Sequence, residues 1–233
     1  PSEIRAVNAA FNQMTYDIQQ ATKDRTVMLA GISHDLRTPL TRLRLTAEIM
    51  ADKDLAEGMI LDIQDMDEIL EQFISFMRDG SDETSELIDV NQILSEVAAQ
   101  FAAQTQIEFH PEPLPEILIR RLAIKRMVGN LVNNALRYGQ APIVLSAMEG
   151  RQHLIISVRD HGHGVVESQM PDLLQPFVRG DSARTTQGTG LGLAIVARIV
   201  KMHKGTLDIR NHPEGGLEVS VSLPLPKNRE LVL

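Results

Sequence analysis

Within Gly31-Ile32-Ser33-His34-Asp35-Leu36-Arg37-Thr38-Pro39, a potential nucleophile, a carboxylate and a hydroxyl fall at helical spacing. His34 and Thr38 lie four residues apart and share one face of an α-helix, with Asp35 on the flank of His34. Pro39 removes a backbone donor and predicts a bend just beyond the site. A His-Asp pair on an amphipathic helix is by itself an ordinary solvated feature, so its meaning depends on what else the chain carries.

Three further groups could handle a nucleotide. Asp160-His161-Gly162-His163-Gly164 follows a predicted strand. Its glycines Gly162 and Gly164 let backbone approach a ligand closely, and Asp160 can accept a hydrogen bond from an exocyclic amine. Gly188-Thr189-Gly190-Leu191-Gly192-Leu193 leads straight into a helix, so its amides and that helix N-terminus could cradle phosphates. The glycine spacing is neither that of a dinucleotide fingerprint nor that of a P-loop. Asn130 and Asn134 share a face of a long helix that ends in Arg137 and Tyr138. Neutral oxygens of this kind suit a magnesium ion whose other ligands are phosphates and water, while a cation and a stacking ring sit at the helix end. Each group alone is equally well read as a glycine turn or as polar helix surface.

The elements that must position these residues divide the chain in two. Ile4, Val7, Phe11, Met14 and Ile18 recur at spacings of three and four from Glu3 to Gln20, a helix with one apolar stripe. After polar Thr22-Lys23-Asp24-Arg25 the stripe resumes as Leu29, Ile32, Leu36, Leu43 and Met50, and a second heptad series follows through Met59, Ile63, Met66, Leu70, Phe73 and Met77. Joined near Asp52-Lys53-Asp54, the two seams predict a helical hairpin. A lone hairpin buries one side of each helix, so two copies are expected to pair as a dimeric four-helix bundle.

Asp79-Gly80-Ser81-Asp82-Glu83-Thr84-Ser85-Glu86 is acidic and aperiodic, which marks a boundary. Beyond it the pattern predicts strands at 87–90, 107–110, 117–119, 142–147, 153–159, 206–210 and 217–223, with helices at 91–103, 122–138 and 191–203. That mixture indicates an α+β sandwich rather than a regular βαβ repeat, so the whole chain reads as multidomain, α followed by α+β. The irregular stretch from Asp160 to Gly188 is long enough to be a functional lid. A net charge of −8 argues against nucleic acid as a partner, the absence of cysteine excludes disulfides and thiolate metal sites, and no run of about 18 apolar residues spans a membrane. A chain that opens at Pro1, directly in helical sequence, reads as part of something longer.

Together these stretches resemble the sensor histidine kinases of two-component systems. Ser33 to Leu40 is similar to the phosphoacceptor box, Asn130-Leu131-Val132-Asn133-Asn134-Ala135 to the N box, Asp160 to Gly164 to the first glycine box, Pro176-Phe177-Val178-Arg179-Gly180 to the F box, and Gly188 to Leu193 to the second glycine box. All five occur in the family's order, and the wording at 34–44 and 175–184 is most similar to that of the osmosensing members. One departure stands out: the first glycine box commonly has Asn or Asp after its leading Asp, and here the residue is His161.

The resemblance implies a histidine kinase (HisKA) hairpin at 25–80, preceded at 1–24 by the last helix of a HAMP-like linker. A linker at 81–86 would lead to an ATP-binding domain of the GHKL (Bergerat) type at 87–226, with a tail at 227–233. It implies ATP and Mg2+ as cofactors, with Asn130 on the metal and Asn134, Arg137, Tyr138, Asp160, Gly162, Gly164, Phe177, Arg179, Gly188, Thr189, Gly190, Leu191 and Gly192 around the nucleotide. His34 would attack the γ-phosphate, Asp35 would take or orient the proton on the other ring nitrogen, and the phosphate would pass to an aspartate of a response regulator of OmpR-like type. Thr38 would orient water for the reverse, phosphatase reaction. A homodimer on the cytoplasmic side of a bacterial inner-membrane protein is expected, with the span outside this sequence. A GHKL-type ATPase clamp or a non-catalytic dimeric scaffold are the other classes that such a sequence admits.

Overall fold

The computed structural model describes residues 2–77, 83–178 and 190–225, and the chain divides into two compact units that meet between Arg78 and Asp79. In the first unit, helix α1 (Ser2–Glu48) turns into helix α2 (Lys53–Met77). The polar residues at 22–25 do not interrupt α1, which runs unbroken past His34 and through Pro39 for 47 residues, about 70 Å at 1.5 Å per residue. Hydroxyl side chains bond back to main-chain carbonyls along this stretch: Ser33 Oγ donates to Leu29 O (2.8 Å) and Thr41 Oγ1 to Arg37 O (3.0 Å). Asp52 caps α2, accepting from the Leu55 N–H at Oδ1 (3.1 Å) and from the Ala56 N–H at its carbonyl (3.0 Å). Next to this turn Ala47 and Ala56 are buried, as is Ile63 farther along, and Arg37 reaches Glu71 across the pair at 3.2 Å. Part of the apolar stripe stays open in a single chain, because Ile32, Leu36, Leu43 and Met66, with Ile69 beside them, are each about half exposed.

The second unit is an α/β sandwich. Strand β1 (Glu86–Ile88), helix α3 (Val90–Phe101), strands β2 (Ile107–Phe109) and β3 (Ile117–Ile119), and helix α4 (Arg121–Tyr138) come first. Strands β4 (Ile143–Glu149) and β5 (His153–Arg159), a 3-10 segment (Glu167–Leu174), helix α5 (Gly192–Met202) and strands β6 (Thr206–Asn211) and β7 (Leu217–Pro224) follow. The main sheet has the order β2-β4-β5-β7-β6, with β2 parallel to β4 and the other pairs antiparallel, while β1 pairs with β3 separately. The registers Leu145↔Val158↔Val219 and Ala147↔Ile156↔Val221 put buried aliphatics on one face. One residue along, Ser146↔Ser157↔Ser220↔Asp208 form the polar face.

Against the apolar face pack Ile124, Met127, Val128 and Leu131 of α4 and Ile195, Val196 and Ile199 of α5, all buried. Each such side chain removed from water stabilises the fold by about 1.5–3 kcal/mol. Asp89 caps α3 by accepting from the Asn91 N–H (2.9 Å). Helix α3 is tied to α4 through Glu96, which meets Lys125 Nζ at 2.7 Å and also Arg121. Those cations, with the Lys125 hydrogen bond first, hold the Glu96 carboxyl below its ordinary value.

Candidate active site

On α1 the His34 and Asp35 side chains are almost fully exposed, with Nδ1 and Oδ1 3.5 Å apart. A proton kept on Nδ1 for Asp35 would leave the lone pair of Nε2 open to solvent. One turn on, Thr38 Oγ1 reaches back to the His34 carbonyl at 3.5 Å, the long limit of a hydrogen bond. The hydroxyl is therefore weakly held and can turn toward another partner.

In the second unit the C-terminal half of α4, the turn after β5 and the N-terminus of α5 converge. Asn130 donates from Nδ2 to the Arg126 carbonyl (2.8 Å), which leaves Oδ1 as a free acceptor 3.6 Å from where a Cβ on Gly192 would stand. An amide so oriented fits a cation bound through one neutral oxygen. Among the described residues no three His, Cys, Asp or Glu side chains gather as a metal site, so phosphate oxygens and water would supply the other ligands. Asn134 and Arg137 are half-buried farther along α4, and Tyr138 is exposed at its end.

Asp160 is buried, and Oδ1 accepts from the Gly162 N–H (2.8 Å) and the Leu217 N–H (3.3 Å). Both bonds end on one oxygen, which orients the carboxylate and leaves Oδ2 for a donor such as an amine. Glycines crowd this carboxylate. A Cβ at Gly139 would meet Asp160 Cγ at 2.3 Å, and one at Gly216 would meet the Asp160 carbonyl at 1.7 Å. Gly164, at φ +71°, passes so close to Asn211 that a Cβ would lie 2.4 Å from Oδ1. Asn211 in turn clamps the turn by accepting from the Val165 N–H (2.9 Å) and donating to the Val165 carbonyl (2.8 Å). Gly190, at φ +69°, accepts from the Phe177 N–H (3.1 Å), and Phe177 itself stands at φ +66° with its ring exposed. A non-glycine residue held in that region carries local strain. Leu191 is buried in the core, so only its backbone faces a ligand.

The structure thus gathers Asn130 and Gly192, and around Asp160 it gathers Gly162. Gly190 meets Phe177, and Gly164 meets Asn211. Arg179, Gly188 and Thr189 lie outside the described residues. Sequence reasoning passed over Gly139, Asn211 and Gly216. Gly139 reads as a helix C-cap and Gly215-Gly216 as a turn, and nothing local marks either as packing against Asp160.

A helical hairpin that exposes a histidine is followed by an α/β sandwich whose buried Asp160 is closely lined by glycines. Residues 24–89 match the His Kinase A phospho-acceptor domain, and residues 119–227 match the histidine kinase-, DNA gyrase B- and HSP90-like ATPases. The chain belongs to the sensor histidine kinase family. It is 36% identical over 227 residues to the sensor histidine kinase GtrS of Pseudomonas aeruginosa, spanning 96% of this chain and 47% of that protein. Over 243 residues it is 33% identical to the sensor histidine kinase CpxA of Escherichia coli, spanning 97% of this chain and 53% of that protein. The chain therefore spans about half the length of these relatives. Among solved structures, the histidine kinase domain of the E. coli osmosensor EnvZ is 40% identical, with a TM-score of 0.50 over 66% of this chain and 97% of that one. Full-length ShkA in complex with AMPPNP shares the fold at 22% identity and a TM-score of 0.70, over 86% of this chain and 46% of that one.

Proposed function

We propose that this chain binds Mg-ATP in its second unit, phosphorylates its own His34, and passes the phosphoryl group to an aspartate of a response regulator of OmpR-like type. The observation that carries the reading is the pairing of an exposed His34, with Asp35 3.5 Å from Nδ1, with a second unit whose buried Asp160 keeps one carboxylate oxygen for an adenine amine. Nε2 attacks the γ-phosphorus, the N–P bond forms as the bond to the β-phosphate oxygen breaks, and ADP leaves. Asp35 steadies the proton that stays on Nδ1. Asn130 Oδ1 would hold the magnesium ion, which neutralises phosphate charge when bound, and the remaining contribution is positioning. Thr38 is assigned to the reverse reaction, in which its hydroxyl orients a water against the regulator's phospho-aspartate.

The half-exposed stripe of α1 and α2 supports a homodimer. The continuous helix ahead of His34 fits the second helix of a HAMP-like linker, and the sensor kinase relatives support a place on the cytoplasmic side of an inner membrane. The domain limits proposed are the hairpin at 25–80, a linker at 81–86 and the ATP-binding domain at 87–226, beside a division into two compact units between 78 and 79. The test is incubation with γ-labelled ATP. Acid-labile, base-stable label on the wild type and none on His34→Gln, at equal nucleotide affinity, is expected. Label retained by that variant overturns the assignment of His34.

A further inference from the structure

His161 stands where the first glycine box commonly has Asn or Asp, and its ring does not point idly into solvent. Its Nδ1 lies 2.6 Å from the Pro142 carbonyl, and its backbone N–H donates to the Gln140 carbonyl at 2.9 Å. A carbonyl only accepts, so Nδ1 carries the proton and donates. Residues 139–142 are the connection from α4 to β4, and the glycine turn runs against it without room for side chains. A Cβ on Gly162 would stand 2.9 Å from Gly139 Cα, and one on Gly139 would overlap Asp160. One histidine thus bonds twice to the segment that joins the asparagine-bearing helix to the sheet, and it does so from the residue next to Asp160.

We propose that His161 is a positioning residue for the nucleotide: by donating from Nδ1 to the Pro142 carbonyl it holds the 139–142 connection against Asp160 and Gly162, fixing the acidic side of the pocket relative to α4. This rests on the reading of the pocket as an ATP site. The chemistry required is a side-chain N–H at the position of Nδ1, and the amide nitrogen of asparagine occupies that position. A leucine of similar bulk does not donate.

The experiment measures binding of a fluorescent ATP analogue and steady-state autophosphorylation of the whole chain for wild type, His161→Asn and His161→Leu, with thermal midpoints recorded beside them. Asn is expected to bind within about twofold of wild type. Leu is expected to raise the dissociation constant and the KM for ATP on the order of five- to tenfold, as loss of one part-buried hydrogen bond does, with kcat nearly unchanged. Equal binding by Leu and wild type overturns the proposal, as does an Asn variant as weak as Leu. Should Leu fail to fold, the 15N shifts of the His161 ring in the wild type decide: a protonated Nδ1 at neutral pH is expected, and a bare Nδ1 overturns it. A wild type that binds no nucleotide refutes the reading of the pocket instead, which keeps the two failures apart.

Discussion

At the scale of single residues, Thr38 is where two activities should separate. In the proposed autophosphorylation His34 would supply the attacking atom and bound ATP the phosphate, so a hydroxyl one turn away should add little. Thr38→Ala should keep substantial autophosphorylation. In dephosphorylation a water must be placed in line, and loss of one positioning group costs roughly tenfold to a thousandfold in rate. The 3.5 Å contact from Oγ1 to the His34 carbonyl is too long to commit the hydroxyl to the helix. Were Thr38 present only for its β-branched shape beside Pro39, Val would replace it and Ser would not. The water-positioning role predicts the reverse order, Ser retaining more phosphatase activity than Val. Rates of regulator dephosphorylation and of autophosphorylation for Ser, Val and Ala variants check this, and a fully active Val variant refutes it.

At the scale of elements, α4 is held at both ends, and its far end makes a proton-dependent contact. Glu83, ahead of β1, accepts from the Leu122 N–H (2.6 Å) and the Ala123 N–H (3.1 Å), and its carbonyl accepts from Arg120 Nε (2.8 Å). The Arg120 N–H donates to His203 Nε2 (3.2 Å), whose Nδ1 donates to the Ile199 carbonyl (2.9 Å). Burial pushes the His203 pKa below its ordinary value of 6.5. The neighbouring Arg120 guanidinium acts in the same direction, against the Ile199 bond and the Glu83 carboxylate. A lowered folded pKa means that the unfolded chain takes the proton first, so this stabilisation is complete above pH 6.5 and declines as pH falls through the folded value. The urea midpoint of wild type should drop between pH 7.5 and pH 5 by more than that of His203→Gln, which cannot titrate; equal drops would sink the assignment. None of these contacts was legible in the sequence. In the second unit alternation and helical period revealed the strands and α-helices to within a residue or two because burial on one face imposes the period, whereas the 3-10 segment Glu167–Leu174 falls inside the stretch read as irregular. Glu83 meeting α4, Gly216 meeting Asp160 and His161 meeting Pro142 join residues far apart in the chain, and a local pattern carries no trace of them. The unbroken course of α1 through 22–25 was missed for the complementary reason: a run of polar residues gives no periodic signal, yet it contains neither Gly nor Pro to break the helix.

At the scale of the molecule, the exposed stripe decides how many chains make the working unit. Ile32, Leu36, Leu43, Met66 and Ile69 keep about half their surface in one hairpin, and completing their burial would add about 1 kcal/mol each, or about 10 kcal/mol across a symmetric pair. That is of the size needed to offset the 4–15 kcal/mol of lost translational and rotational freedom. The chain should therefore have twice its 25.9 kDa mass by light scattering, and Leu43→Glu should shift it toward one. A dimer also allows complementation. On the proposed reading His34→Gln lacks the nucleophile, and Asn130→Ala lacks the oxygen proposed for the metal while keeping His34, so neither alone should label. Mixed and allowed to exchange, they form heterodimers in which one intact nucleotide site and one intact histidine lie on different chains. Label appearing on the Asn130→Ala chain then reports transfer between subunits, and no label despite proven exchange reports transfer within one. A wild type that stays at 25.9 kDa under labelling conditions removes the premise of both and would mean that the open stripe has no second copy to cover it.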